Sequence, residues 1–109
     1  MVNDTDRSII EKCKECRDQC SDWLEKNQID PDSHTIDDCT MLILECYDIC
    51  SYTVTALSRE SQFAKELCQL GELICEACGN ECNKQESPCT VELAETCYEV
   101  AERFRNRLF

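Results

Sequence analysis

The sequence has few of the residues that make tight turns, with only two glycines and two prolines among its 109 residues. Hairpins and long loops draw on these residues, so their scarcity favours helices joined by short connections. Histidine occurs once, as His34, which falls in a predicted turn and is interpreted as a solvated loop residue. With one histidine, no nucleophile–base pair and no phosphate-binding loop, the sequence predicts that the protein is not an enzyme.

Basic residues are also scarce: 11 lysines and arginines stand against 23 acidic residues, giving a formal net charge of −12. A nucleic-acid-binding function is excluded because little positive charge is available to neutralise phosphates. No stretch reaches the length of a transmembrane segment, and residues 1–7 have neither the basic nor the apolar region of a signal peptide. We therefore expect a protein that does not enter membranes and that sits in a reducing cytoplasm, where cysteine clusters more often bind metal than form cross-links.

Cysteine is the residue that the chain has in excess, with twelve copies in 12.6 kDa. Most neighbouring cysteines are separated by three, four or seven residues, which are the steps that return to one face of an α-helix. Since the remaining apolar residues are few, a packed interior must also use cysteine as part of its filling. The spacing therefore predicts stripes of buried thiols on helices.

Periodicity and capping signals predict four helices, at about residues 5–27, 35–57, 61–84 and 87–107, in one domain spanning residues 1–109. Ser8 and Glu11 form a capping box that would start the first helix later, and Ser87 followed by Pro88 marks the start of the fourth. Short connections favour antiparallel neighbours. We expect an all-α, antiparallel up-down four-helix bundle with a cysteine-lined core.

Each predicted helix has one inward face. These faces are Ile9, Cys13, Cys16, Cys20 and Trp23; Cys39, Leu42 or Ile43, Cys46, Cys50 and Leu57; Ala64, Cys68, Gly71, Cys75, Cys78 and Cys82; and Cys89, Leu93, Cys97, Val100 and Phe104. The apolar run from Met41 to Leu44 predicts that the second helix is the most buried.

Three CxxxC pairs carry the chemistry, because two thiols one helical turn apart can converge on one ion. They are Cys16/Cys20, Cys46/Cys50 and Cys78/Cys82, and Cys13 and Cys75 could share a ligand with the next ion. Soft thiolates in a core without oxygen ligands select Cu(I) and disfavour Mg²⁺ or Ca²⁺. The candidate metal ligands are Cys13, Cys16, Cys20, Cys39, Cys46, Cys50, Cys68, Cys75, Cys78, Cys82, Cys89 and Cys97.

The residues alone leave other uses of cysteine open. Buried cysteines can be core filler, and paired CX9C helices linked by disulfides would need a spacing that only Cys68/Cys78 shows. Zinc and iron–sulfur sites are disfavoured, because their ligands usually lie on loops or knuckles and the ferredoxin run is spaced differently. Close pairs could instead cycle between thiol and disulfide in a redox or sensor protein. A structural or partner-binding bundle that has lost metal binding is the remaining alternative.

The motifs resemble those of the cysteine-rich four-helix-bundle copper-binding proteins, which include the bacterial copper storage proteins. The resemblance runs from about Ile9 to Cys97 and rests on Cys13-x-x-Cys16-x-x-x-Cys20, Cys39-x6-Cys46-x-x-x-Cys50 and Leu67-Cys68-x6-Cys75-Glu76-Ala77-Cys78-x-x-x-Cys82. It implies a bundle whose inward thiolates bind many Cu(I) ions for storage or buffering. It also implies copper ions and a copper chaperone as partners, and a homo-oligomeric assembly.

The chain departs from the family pattern in its third and fourth helices. Leu70-Gly71-Glu72 lies where a further cysteine is common, and Pro88 replaces a frequent histidine. Glu92 and Thr96 take family positions in the last helix, while Cys97 is offset by one. We therefore expect the fourth helix to be a mainly apolar wall of the bundle, poorer in ligands than the other three.

Overall fold

The computed structural model describes residues 2–32, 35–85 and 87–109, which form four α-helices and, over these ranges, no strand. The helices are α1 (Asp4–Lys26), α2 (Asp38–Ser58), α3 (Ala64–Lys84) and α4 (Pro88–Leu108). α1 and α3 each pack against both α2 and α4, so the four helices close a ring around one core. His34, interpreted above as a loop residue, lies outside the described residues.

Ion pairs between helices show that neighbours run antiparallel. Lys12 in the first half of α1 bonds Glu99 in the second half of α4 (2.7 Å), and Arg105 near the end of α4 bonds Glu72 in the first half of α3 (2.9 Å). This confirms the predicted up-down four-helix bundle. Over the described residues, no helix has an apolar stretch long enough for a membrane crossing.

The N-terminal cap of α1 differs from the sequence prediction. Asn3 caps the helix, and its side chain accepts a hydrogen bond from the Asp6 amide at 2.7 Å. The predicted Ser8–Glu11 capping box is therefore wrong: Ser8 lies inside the helix, and its hydroxyl accepts from Arg103 Nη1 at 2.8 Å. The predicted start of α4 is confirmed, since Ser87 caps the helix and Pro88 is its first residue.

α2 and α3 each begin three residues later than predicted. Asp37 caps α2 by accepting from the Thr40 amide at 2.7 Å, so the acidic cap fixes the start. Before α3, the Ser61 hydroxyl accepts from the Phe63 amide at 3.1 Å and holds a turn in place of the first helical turn. In the run predicted to be most buried, Ile43 is fully buried but Met41 is 45% exposed.

The core has a sulfur-rich centre and an apolar end. At the apolar end, Phe104 is fully buried together with Ile9, Leu57 and Val100. Its ring lies against Gly71, where an added Cβ would come within 2.8 Å of the ring Cζ atom. Trp23, predicted to face inward, is half-buried and packs on the edge of the core.

A buried ion pair joins the two chain ends beside this apolar region. Arg107 donates to both carboxylate oxygens of Asp6, at 2.7 Å from Nε and 3.4 Å from Nη2. The side chain of Asp6 is 10% exposed and that of Arg107 is 24% exposed. The hydrogen bonds that Arg107 donates to Asp6 raise the pKa of Arg107, and this two-point contact fixes α4 to the first turn of α1.

We expect Asp6→Asn to lower the free energy of unfolding by about 1–2 kcal/mol, because Arg107 would keep a neutral partner but lose the opposite charge. Urea unfolding of the two proteins measures this difference. Asp4→Asn is the matched control, since the Asp4 side chain is 99% exposed and pairs with Arg7 at the surface. Equal losses in both variants would contradict a special role for the buried pair.

Candidate metal centre

Sulfur atoms from all four helices meet in the middle of the bundle. Cys46 on α2 lies at the centre of this group: its Sγ is 3.5 Å from that of Cys16 on α1, 3.8 Å from Cys75 on α3 and 3.9 Å from Cys97 on α4. The Cys16 and Cys97 sulfurs are also 3.9 Å apart. All four cysteines are fully buried. The antiparallel register therefore converts the separate stripes of the sequence into one cluster.

Three sets of three sulfur atoms are compact enough to hold a metal ion, with all atoms of a set within 4.8 Å of one another. The sets, called the sulfur triads below, are Cys16–Cys20–Cys46, Cys46–Cys50–Cys75 and Cys46–Cys78–Cys97. Cys46 belongs to all three. The sequence did not predict this shared position, because it depends on the register between helices and not on the spacing within one.

A smaller group of sulfurs continues from the cluster toward the start of α2. The Sγ atoms of Cys78 and Cys82 are 4.0 Å apart. Burial, together with the nearby sulfurs of Cys82 and Cys78, raises the pKa of Cys39 to about 12. Cys39 and Cys82 therefore lie close together at the opposite end of the core from Phe104.

Without a bound cation, the cluster can hold little of the negative charge that thiolates carry. Hydrogen bonds from the thiols of Cys20 and Cys46 lower the pKa of Cys16. The Cys16 sulfur in turn raises the pKa of Cys20 and of Cys97, because a second negative charge would be close by and buried. The contact with Cys46 likewise raises the pKa of Cys75. Several thiolates can therefore coexist only when cations replace the protons.

As expected, α4 has fewer buried cysteines than the other three helices, and its one contribution to the cluster is Cys97. Its sulfur is buried at the centre and belongs to one of the sulfur triads. Cys13 is fully buried beside Cys50, where it contributes to raising the pKa of Cys50. Cys68 is buried apart from the triads, near Arg107 and Asp6, and burial raises its pKa.

Cys89 is the candidate that the structure does not bring into the core. It was predicted on the inward face of the fourth helix, but it is exposed in the first turn of α4, in a surface cavity of about 340 Å³ shared with Trp23 and Glu92. The Pro88 start places it where the helix is just beginning, so the side chain faces the gap between α1 and α4. The other eleven cysteines are buried.

We expect a small alkylating reagent to modify the native, reduced protein rapidly at Cys89 and much more slowly elsewhere, since the other thiols are out of contact with solvent. Mass spectrometry of the time course should show a first adduct that maps to the peptide containing Cys89. Cys89→Ser should lack this rapid phase. Rapid modification of several cysteines would contradict the buried core.

A buried group of thiols with no oxygen ligand among its triads is a site for a soft, thiophilic ion. The sequence points to the same kind of site, because residues 2–108 match a model of the copper storage protein family. The chain belongs to the copper storage protein family. This confirms the resemblance that the CxxxC motifs indicated.

Relatives in this family share both sequence and structure with the chain. The uncharacterized cysteine-rich protein YhjQ of Bacillus subtilis (strain 168) is 37% identical over 99 residues, which cover 91% of this chain and 92% of that protein. The structure is similar to the Cu(I)-bound copper storage protein BsCsp3, with a TM-score of 0.85, 34% identity, and coverage of 96% of this chain and 99% of that one. It is also similar to the apo form of copper storage protein 3 from Bacillus subtilis, with a TM-score of 0.82 and 35% identity over 94% of this chain and 98% of that one.

Proposed function

We propose that this protein binds Cu(I) through thiolates in the core of the bundle and thereby stores or buffers it. The observation that carries the proposal is the set of three sulfur triads meeting at Cys46, fully buried and contributed by all four helices. The family match and the likeness to a Cu(I)-bound copper storage protein support it. Copper is the cargo here, and we infer that the protein catalyses no reaction.

Uptake is an exchange of cations. Each Cu(I) that enters between two thiols displaces their protons to solvent and offsets one of the two negative charges that form. A further ion that shares one of those thiolates requires one new thiolate instead of two, so its positive charge offsets all of the negative charge that its binding adds. Shared ligands such as Cys46 therefore reduce the electrostatic penalty of filling a dry core.

The remaining ligands of the proposal extend the cluster in both directions. We place Cys13 beside the triad that contains Cys50, and Cys39 and Cys82 beyond Cys78, as further thiolates for additional ions. Cys68 and Cys89 lie outside this continuous row, so we propose them as ligands only for ions held at the two ends of the bundle.

We further infer a cytoplasmic protein that receives and returns copper through a chaperone and that forms homo-oligomers. The row of reduced cysteines suits a reducing compartment. The α2–α3 side of the bundle exposes large apolar residues, among them Tyr52 (47%), Leu70 (48%) and Leu73 (68%), and burial of this face against a second copy would account for them. Light scattering at increasing protein concentration tests the assembly.

Anaerobic titration of the reduced protein with Cu(I), in competition with a chelator of known affinity, tests the copper proposal. We expect several equivalents to be bound per chain before the chelator competes. The same protein with all thiols alkylated after unfolding should bind none. Stoichiometry near zero for the reduced, folded protein would overturn the proposal and would favour a purely structural or redox role for the thiols.

A further inference from the structure

Thr53 on α2 carries a buried hydroxyl that has no partner. The residue is fully buried, and among the described residues its Oγ1 makes no hydrogen bond. Leaving a buried hydroxyl unpaired is unfavourable, so native structures rarely retain one without a reason. An aliphatic side chain of the same shape would fill the space without this penalty.

The neighbouring hydroxyls on α2 show that the helix offers an alternative that Thr53 does not use. Ser51 donates to the Tyr47 carbonyl at 2.7 Å, Thr55 to the Ser51 carbonyl at 3.4 Å, and Ser58 to the Val54 carbonyl at 2.6 Å. Each bonds the carbonyl four residues earlier, as serine and threonine commonly do in helices. The Thr53 hydroxyl makes no such bond, so it can donate to a group in the interior of the bundle.

The position of Thr53 places it next to the sulfur triads. It follows Cys50 by three residues, which puts both side chains on one face of α2 about 5–6 Å apart at Cβ. Side chains on a helix lean toward its N-terminus, so Thr53 leans toward Cys50 and away from the apolar end of the core. Cys50 is fully buried and belongs to the triad with Cys46 and Cys75.

We propose that Thr53 is a positioning residue for the copper cargo, whose hydroxyl donates a hydrogen bond to the Cys50 thiolate when Cu(I) is bound. This inference rests on the proposed function. A neutral thiol is a weak hydrogen-bond acceptor, so a protonated Cys50 gains little from a donor. When Cu(I) binds, that proton leaves to solvent and the sulfur becomes an anionic acceptor, for which a hydroxyl is a strong, charge-assisted partner. The Thr53 hydroxyl, which is unpaired in the metal-free protein, therefore gains an acceptor once Cu(I) is bound.

Thr53→Val separates this role from simple packing, because it removes the hydroxyl and keeps the shape of the side chain. We expect the metal-free variant to unfold at the same or a higher temperature than the parent protein, since an unsatisfied polar group is lost. We expect the copper that depends on Cys50 to be held roughly tenfold less tightly in chelator competition, as for loss of one hydrogen bond to a charged group. The thiolate-to-Cu(I) absorption should also shift to lower energy, because the sulfur electrons lose a stabilising donor.

Two variants control for the substitution itself. Thr53→Ser retains the hydroxyl and should restore copper affinity close to that of the parent. Thr96→Val removes another buried hydroxyl, next to Cys97, but that hydroxyl already donates to the Glu92 carbonyl at 3.3 Å. We therefore expect Thr96→Val to leave the copper affinity unchanged.

The partner of Thr53 is tested by combining substitutions. In a Cys50→Ala background, Thr53→Val should have no further effect on copper retention, whereas in a Cys68→Ala background its effect should persist. Equal copper affinity of the Thr53→Val variant and the parent would overturn the Thr53 proposal and leave copper binding intact. Loss of the effect only in the Cys68→Ala background would also overturn it. A parent protein that binds no Cu(I) would instead overturn the proposed function and this inference together.

Discussion

Cys46→Ala is expected to remove about three times as much tightly bound Cu(I) as Cys20→Ala, because Cys46 belongs to three sulfur triads and Cys20 to one. The loss should exceed that of one site, since each triad left without Cys46 has two sulfurs and no shared ligand. Anaerobic Cu(I) titration against a chelator, carried out on both variants and the parent, measures the capacity of each.

Cys20→Ala controls for the loss of a buried thiol as such, since both cysteines are fully buried and each substitution removes one sulfur atom. Cys68→Ala is a second control, because Cys68 is buried but belongs to none of the triads described. Equal reductions in capacity for Cys46→Ala and Cys20→Ala would show that the ions bind independently and that Cys46 is not a shared ligand. Circular dichroism of each metal-free variant verifies that the helices remain folded.

Phe104→Ala is expected to lower the free energy of unfolding by about 3–5 kcal/mol, the largest effect of any single substitution that we predict. The ring is fully buried and fills the apolar end of the core, so its removal leaves a cavity that the helices cannot easily close. Small domains are stable by about 5–15 kcal/mol, so the loss is a large part of the total. Urea unfolding of the metal-free proteins measures it.

Phe63→Ala is the matched control, because this phenylalanine is 56% exposed and should contribute little. Should Phe104→Ala fail to fold, Phe104→Leu supplies a smaller cavity and a measurable loss. Gly71→Ala tests the same contact from the other side: its Cβ would collide with the ring, which should cost about 1–3 kcal/mol. In the Phe104→Ala background the same change should be neutral or stabilising, because the space is then empty and alanine is the better helix former.

The four helices and their inward stripes could be predicted from sequence, because periodicity and burial act along each helix separately. The helix starts could not all be predicted, since competing caps lie within a few residues. Asn3 rather than Ser8 caps α1, and Asp37 caps α2. Such choices depend on small differences in local hydrogen bonding that one sequence does not reveal.

The candidate site could be predicted in composition but not in geometry. Cysteine spacing identifies the buried thiols of α1, α2 and α3, but whether Cys97 reaches the cluster depends on how α4 rotates and slides against α1. Cys89 fits the stripe of α4 by spacing and is nevertheless exposed, because it lies in the first turn, where the ring of helices no longer encloses it. The unpaired hydroxyl of Thr53 is visible only when its surroundings are known.

The cysteines of this core fill its interior as well as being the proposed copper ligands, and this has a consequence for how copper can leave. In a zinc finger the metal holds the fold together, and the chain unfolds when the metal is withdrawn. Here the thiols themselves fill the interior together with Phe104, Ile9 and Leu57. An emptied protein is therefore expected to keep its shape, so that it can be drained and refilled repeatedly without passing through an unfolded chain.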